Sequence, residues 1–388
     1  MTLFDDFPRN DQRPKRRNEP LFPYWNTSGR EDIRVRREIL EGWFARFPDS
    51  AKKDLRQRFR SKNDAHHRAG FFELYVHELL LRCEFTAEAH PNLPGDTSTH
   101  PEFRVYKDGT PVFYIEATLS MSSASATAAK SRTNEVYDTL NRMESPNFFL
   151  AIEINGAPKS PIPGAKLRTL LGQWLSSLDP EKIAQQIETT GLDSVQPLEW
   201  QYGDWALVIR PIPKSPALRG RPGVRPVGVT MDGVKLVESY ETIREAMKSK
   251  ATWYGKPDLP LVVAVNVLSD FSRNIDVMEG LLGQETFVVG VGEDGNMVSR
   301  GMQRKKNGAW WGPKGPQCRN VSAALVTICL DPWRIQEITP ELIHNPWAHA
   351  KLEPTIWLLP QLIPNNTTGQ FNRQPGLSAN DLFPSLRP

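Results

Sequence analysis

The hydrophobic pattern of the N-terminal part of the chain is helical, because apolar residues recur there every three or four positions. This spacing predicts helices over Arg30–Phe47 and over the basic stretch Ser50–Phe59. A longer and more apolar helix is predicted over Ala65–Cys83, with Asp64 as its N-cap residue. Residues 1–63 are therefore expected to form a basic arm that contains helices.

After the third helix the pattern changes to short stretches typical of β-strands. Strands are predicted at Glu84–His90, Phe103–Tyr106 and Val112–Leu119. The last two are separated by Asp108-Gly109, a dipeptide that favours a tight hairpin turn. These two strands are therefore expected to be antiparallel neighbours.

The remaining elements predict a mixed α/β fold. A helix is predicted at Ser122–Met143 and a buried strand at Asn147–Asn155, which completes an αβββαβ core at residues 64–160. Residues 161–388 continue as mixed α/β structure and are expected to form an extension packed on this core. Within them, residues 290–295 fit the GxGxxG pattern, but no amphipathic helix follows, so a hairpin turn is predicted there.

Composition supports a large folded domain. The 388 residues are 39% apolar and include 11 Trp and 17 Phe, enough for a substantial core. No apolar run approaches the ~18–20 residues that a membrane helix needs. The three widely spaced cysteines, Cys83, Cys318 and Cys329, favour a reducing compartment over a disulfide framework or a cysteine zinc site. A cytoplasmic location is therefore predicted.

Three carboxylates on successive predicted elements are the strongest indication of chemistry. Glu73 lies within the long apolar helix, Glu102 immediately precedes a strand, and Glu116 lies inside the apolar strand VFYIEATL. A buried ionised carboxylate must be paired, metal-bound or neutralised. Mg²⁺ and Mn²⁺ prefer oxygen ligands of this kind. The sequence therefore predicts that Glu73, Glu102 and Glu116 converge on Mg²⁺ or Mn²⁺.

These residues also carry a resemblance to a known family. The helix segment FFELYVHELL at 71–80, the tripeptide Pro-Glu-Phe at 101–103 and the strand segment Ile-Glu-Ala-Thr at 115–118 resemble a bacterial branch of the PD-(D/E)xK, or restriction-endonuclease-like, nuclease superfamily. The resemblance implies an αβββαβ core and metal-dependent hydrolysis of phosphodiesters. It further implies DNA or RNA as the substrate, with DNA favoured, and a role in defence against foreign nucleic acid.

The resemblance implies a role for each of the three carboxylates. Glu73 matches the helix acid found in many such sites. Glu102 matches the first carboxylate of the motif, which is normally an aspartate, and Glu116 matches the second acidic position. The extra methylene of Glu102 shifts a bound metal but keeps an oxygen donor.

The lysine of the motif is replaced in this chain by Thr118. Threonine lacks the positive charge that would orient water and stabilise the transition state. The resemblance implies that a neighbouring helix supplies the lysine, and Lys130 in the next predicted helix is the first candidate. Lys250 is the second candidate, and Arg132 is a candidate phosphate ligand.

A basic stretch in the C-terminal half predicts a nucleic-acid partner, although the net charge of the chain is only +3. Six basic and no acidic residues lie between Arg300 and Arg319, with two tryptophans among them. Basic side chains neutralise phosphates, and tryptophan offers a stacking face for bases. The residues predicted to bind nucleic acid are Arg304, Lys305, Lys306, Trp310 and Trp311.

Two other interpretations remain open from the sequence. One is a catalytically inactive nuclease fold that binds nucleic acid or a protein. The other is a zinc hydrolase, since His66, Glu73 and His77 share one helix face, although no HExxH pattern is present. His90 and His100 flank the loop before Glu102, and either could act as a general base beside the carboxylates.

Overall fold

The computed structural model describes residues 1–93, 100–121, 124–156, 162–203, 205–221, 224–232, 239–251, 257–269, 272–291, 297–365 and 367–384. The helices are α1 (Leu21–Thr27), α2 (Glu31–Arg46), α3 (Lys52–Phe59), α4 (Asp64–Arg82), α5 (Ala124–Leu140), α6 (Gly164–Ser176), α7 (Pro180–Thr190), α8 (Ser239–Ala251), α9 (Asn274–Leu282) and α10 (Ala379–Leu382). The strands are β1 (Thr86–Ala89), β2 (Phe103–Lys107), β3 (Thr110–Ser120), β4 (Phe148–Asn155), β5 (Leu198–Tyr202), β6 (Trp205–Pro213), β7 (Val227–Asp232), β8 (Leu261–Val267), β9 (Glu285–Val291), β10 (Met297–Arg304), β11 (Trp311–Gly312), β12 (Gly315–Pro316), β13 (Ala323–Ile328), β14 (Glu341–His344), β15 (Gln361–Pro364) and β16 (Phe371–Gln374).

The chain forms two compact units, and the larger one, unit 1, comprises residues 1–13, 20–122 and 237–388. It is built on an eight-stranded sheet with the order β1-β2-β3-β8-β13-β14-β15-β16. The first three strands form an antiparallel meander, and β3, β8 and β13 are parallel. The protein is thus mixed α/β, as predicted from the sequence.

The centre of this sheet is buried on both faces. Every residue of β8 is buried, as is typical of a parallel strand with both faces covered. On one face, Phe113 and Ile115 of β3 belong to the same apolar cluster as α4. On the other face, Tyr114 packs in a second cluster that contains residues of α8 and α9. Because side chains alternate along a strand, Glu116 points to the α8 face.

The predicted hairpin between β2 and β3 is confirmed. Asp108 and Gly109 have φ of 50° and 78°, values that suit an Asp-Gly turn. The antiparallel register pairs Phe103 with Ile115. Continued by one residue, this register sets Glu102 opposite Glu116.

The long helix α4 is confirmed within one residue of each predicted end. Its N-cap is Asn63, whose side chain accepts a hydrogen bond from the Ala65 amide, and not the predicted Asp64. Asp64 instead accepts a hydrogen bond of 2.7 Å from the Leu21 amide, which ties α1 to α4. A local cap was predicted, whereas the structure uses Asp64 for a tertiary contact.

The smaller unit, unit 2, comprises residues 14–19 and 123–236. Its four-stranded sheet has the order β5-β6-β4-β7, and it shares an apolar cluster with α5 and α6. The predicted helix and strand at 122–155 therefore exist, but β4 pairs with β6 and β7 instead of extending the sheet of β3. The two units divide at 122/123 and 236/237 and on either side of residues 14–19, so the predicted boundary near residue 160 falls inside unit 2.

Three smaller expectations concern the remaining elements. β9 and β10 pair in antiparallel orientation on either side of the predicted turn at 290–295, and residues 292–296 lie outside the described ranges. Cys83, Cys318 and Cys329 are not joined to one another by disulfides. In the described part of the chain, no helix combines the length and the apolar character that a bilayer crossing requires.

Candidate metal centre

Three side chains of unit 1 converge where β1 and β2 meet α4. Glu73, His90 and Glu102 each offer one ligand atom, and these atoms all lie within 4.8 Å of one another. His90 Nε2 lies 3.4 Å from Glu102 Oε2. Two carboxylates and one imidazole at this separation form a set of side chains that could hold a divalent metal ion.

The local backbone fixes two of these side chains relative to each other. β1 and β2 pair Ala89 with Phe103, and the next residue along, His90, donates its amide hydrogen to the Glu102 carbonyl over 2.9 Å. His90 takes a φ of 50°, a left-handed conformation at the end of its strand. Glu73 is supplied by α4, which packs against the same end of the sheet.

Glu73 is buried with an incomplete set of partners. Its side chain is 1% exposed, and its Oε1 has no hydrogen-bond donor among the described residues. The Arg58 guanidinium forms an ion pair with Glu73 Oε2 at 2.5 Å and also contacts Asp54 at 2.8 Å. Burial, with a further contribution from Glu102, raises the pKa of Glu73 well above its ordinary value despite Arg58.

Glu116 forms a second group beside the first. Its Oε1 lies 2.6 Å from Lys250 Nζ, and its Oε2 accepts a hydrogen bond of 3.2 Å from the Glu102 amide. Glu116 is buried, and Lys250 reaches it from the C-terminal end of α8. The structure thus distributes the three predicted carboxylates over two groups joined at Glu102, instead of a single cluster.

The lysine candidates from the sequence have different positions. Lys130 lies exposed on α5, in unit 2, whereas Lys250 forms the ion pair with Glu116. Thr118 lies half-buried two residues after Glu116, on the same face of β3. Lys250 was the second candidate from the sequence. In the structure it is Lys250, and not Lys130, that brings an ammonium group to Glu116.

The histidines proposed for a zinc site do not join the carboxylates. His66 is exposed, and His77 packs against the rings of Phe47 and Phe103 at 5.0 and 5.6 Å. Burial lowers the pKa of His77 to about 4, as expected for a neutral core histidine. Within the described ranges, His90 is the histidine that lies with Glu73 and Glu102. In the sequence, only the position of His90 beside the loop before Glu102 indicated that it could join the site.

The predicted nucleic-acid-binding stretch is only partly available to a ligand. Trp310 is 0% exposed and packs in the apolar cluster under α8, so it cannot stack on a base. Trp311 stacks on Trp347 with ring centroids 5.1 Å apart. Arg304 forms an ion pair with Glu285, whereas Lys305 and Lys306 are exposed.

Comparison of the chain with protein-family models, with curated proteins and with solved structures finds no match. Function is therefore inferred from the site itself.

Proposed function

We propose that the protein is a divalent-metal-dependent phosphodiesterase that cleaves DNA or RNA. The reaction is assigned to the edge of the sheet in unit 1 where Glu102 lies between the Glu73–His90 group and the Glu116–Lys250 pair. The observation that carries the proposal is the Lys250 ammonium group, 2.6 Å from the buried carboxylate of Glu116.

The topology of unit 1 supports the proposal. α4, β1, β2, β3, α8 and β8 follow one another in the order helix, three strands, helix, strand, once the residues of unit 2 are set aside. β3 and β8 are parallel neighbours. This is the αβββαβ order of the PD-(D/E)xK superfamily that the sequence resembles, with the acidic positions at the start of the second strand and inside the third.

The positions of Lys250 and Glu116 support a catalytic role for the pair. The motif has a lysine two residues after its strand acid, and Thr118 occupies that position after Glu116. Lys250 brings a positive charge to Glu116 from the neighbouring helix, α8. In this position Lys250 would orient a water molecule and stabilise the negative charge that develops on a phosphate. A bound divalent ion would supply Lewis acidity and a more acidic water molecule.

The proposal is tested with Lys250→Met, which keeps the length of the side chain and removes its charge. Purified protein is assayed on single- and double-stranded DNA and on RNA, with Mg²⁺ or Mn²⁺. The variant is expected to lose about 100-fold or more in kcat, the scale of losing one preorganised electrostatic group. Lys248→Met, two residues away on α8, is the matched control and is expected to keep wild-type activity.

Three outcomes would overturn the proposal in different ways. Loss of activity in Lys130→Met but not in Lys250→Met would transfer the role to the residue first indicated by the sequence. Salt-dependent binding of nucleic acid without cleavage under either ion would favour the catalytically inactive binding module. Neither binding nor cleavage would exclude both functions.

A further inference from the structure

We propose that Glu73, His90 and Glu102 bind a first-row transition-metal ion of the Mn²⁺ or Zn²⁺ class in preference to Mg²⁺. The inference deepens the proposed function by naming the ion. The role of this ion in cleaving a phosphodiester rests on the proposed function. Ion binding itself does not depend on cleavage and is measured separately.

The chemistry of the ligand set favours this choice. Mg²⁺ takes oxygen ligands in near-ideal octahedral geometry and retains much of its water. Imidazole nitrogen is a ligand for zinc and other first-row transition metals, and carboxylate oxygens suit Mn²⁺, so a set that mixes imidazole and carboxylate is typical of transition-metal sites. One nitrogen from His90 and two oxygens from Glu73 and Glu102 form such a set.

The set is held by rigid elements, which reduces the cost of organising it for an ion. Glu73 lies in the middle of a 19-residue helix, and the amide of His90 is bonded to the carbonyl of Glu102 across the β1–β2 ladder. All three ligand atoms already lie within 4.8 Å of one another. Preorganisation of this kind is a requirement for a specific metal site.

The state of Glu73 is a second, independent indication of a ligand. Buried carboxylate oxygens are normally hydrogen-bonded, because an unpaired buried polar group is costly. Among the described residues, the Arg58 guanidinium contacts Oε2 of Glu73 at 2.5 Å, whereas Oε1 has no hydrogen-bond donor. A cation between Glu73, His90 and Glu102 would give Oε1 of Glu73 the partner that it lacks.

Arg58 is expected to compete with the ion. Its guanidinium neutralises Glu73 and lies on α3, which packs beside the site. A positive charge within about 5 Å opposes a second cation, even with the screening found near protein surfaces. Arg58→Gln is therefore expected to bind the ion about tenfold more tightly than the wild type.

The experiment is equilibrium dialysis of the chelator-treated full-length protein against Zn²⁺, Mn²⁺ or Mg²⁺, with the bound metal measured by mass spectrometry. One equivalent of Zn²⁺ or Mn²⁺ is expected, with Mg²⁺ bound at least about 100-fold more weakly. His90→Gln and Glu73→Gln should each weaken Zn²⁺ and Mn²⁺ binding by about 10-fold or more. The exposed His66→Gln is the control and should bind as the wild type does.

Pulsed electron paramagnetic resonance of the Mn²⁺ form provides a readout that structural damage does not mimic. A nitrogen coupling is expected in the wild type and should be absent in His90→Gln, while Glu73→Gln retains it at saturating Mn²⁺. Circular dichroism verifies that the variants are folded.

Equal affinity for Mg²⁺ and Mn²⁺, or unchanged binding in His90→Gln, would overturn the inference. Cleavage with Mg²⁺ that does not require His90 would overturn it while the proposed function stands. Tight Zn²⁺ or Mn²⁺ binding through His90 without cleavage of any nucleic acid would leave the inference in place and overturn the proposed function.

Discussion

Two glutamates five residues apart on α4 show how differently a buried carboxylate can be bonded. Glu73 and Glu78 are both 1% exposed. Glu78 accepts hydrogen bonds from Arg46 at 2.8 Å and from Arg82 at 2.9 Å, so its charge is fully compensated. Glu73 is paired with Arg58 through Oε2, and its Oε1 has no donor among the described residues. Both carboxylates are thus buried, and the unpaired Oε1 distinguishes Glu73 as the candidate ligand.

This difference predicts effects of different size on the stability of the metal-free protein. Glu78→Gln should lower the free energy of unfolding by roughly 2–4 kcal/mol, because it breaks a buried ion pair and leaves two arginines unmatched. Glu73→Gln should lower the free energy of unfolding by less, because it leaves one arginine unmatched instead of two and Oε1 of Glu73 has no donor to lose. Urea unfolding measures both. A loss in Glu73→Gln as large as that in Glu78→Gln would show that Glu73 is a structural residue.

His67 predicts how stability depends on pH. Its ring is buried, its Nδ1 lies 2.5 Å from the Phe59 carbonyl, and burial lowers its pKa to about 4. The unfolded chain binds the proton near the ordinary value of 6.5. The stabilisation is therefore present above pH 6.5 and is lost as the pH falls from 6.5 towards 4, by on the order of 3 kcal/mol.

The measurement is the free energy of unfolding at pH 7 and pH 4.5. His67→Asn retains an amide donor for the Phe59 carbonyl and cannot titrate, so its stability should fall less over this range than that of the wild type. His66→Gln, at the exposed neighbouring position, should keep the wild-type dependence. If His67→Asn matches the wild type, the pH dependence has another source.

At the residue scale, the sequence identified the acids of the site and named His90 and Lys250 only among several candidates for their partners. Glu73, Glu102 and Glu116 stand out as carboxylates in apolar surroundings. The role of His90 depends on the β1–β2 ladder, which brings together residues on either side of a loop. Lys250 reaches Glu116 only because α8 packs on β3, a long-range contact with no local signal in the chain.

At the scale of elements, α3 and α4 approach closely at one glycine. A Cβ atom at Gly70 would lie 2.9 Å from the backbone nitrogen of Phe59 and 3.1 Å from its Cα. Both contacts are to backbone, so an added methyl group would push α3 away from α4. Since α3 carries Arg58, the same glycine sets the distance between this arginine and Glu73.

Gly70→Ala is therefore expected to lower stability by about 1–3 kcal/mol, the range of overpacking, despite the higher helix propensity of alanine. Gly42 on α2 is the matched control, because nothing lies within 4 Å of a Cβ atom there. Gly42→Ala should be stabilising by about 0.5–1 kcal/mol. Thermal unfolding compares the two variants, and a stabilising Gly70→Ala would contradict the close packing of α3 on α4.

Elements that are specified by neighbouring residues in the chain were predicted well. The periodicity of α4 and the Asp-Gly turn between β2 and β3 are encoded in contiguous residues, and both are confirmed. The partner of β4 is not encoded in this way. FFLAIEIN has the pattern of a buried strand whether it pairs with β3 or, as observed, with β6 and β7.

At the scale of the whole molecule, the main segment of unit 2, residues 123–236, lies in the chain between β3 and α8. Within unit 1, the ends on either side of it are close, since Ser120 at the end of β3 donates a hydrogen bond of 2.8 Å to Thr242 in the first turn of α8. An insertion between adjacent ends leaves a fold intact, which is why surface junctions accept whole domains. Nothing in the sequence near residue 122 marks this junction, so the core predicted at residues 64–160 wrongly included part of unit 2.

The pairing of β3 with β8 has a consequence for biosynthesis. As the ribosome releases the chain from its N-terminus, β3 emerges with one edge unmatched, and its parallel neighbour is translated only after all of residues 123–236. Domains generally fold as units during synthesis, and unpaired strand edges promote aggregation. A nascent chain paused within unit 2 would thus expose the unmatched edge of β3, a substrate for chaperones until β8 arrives.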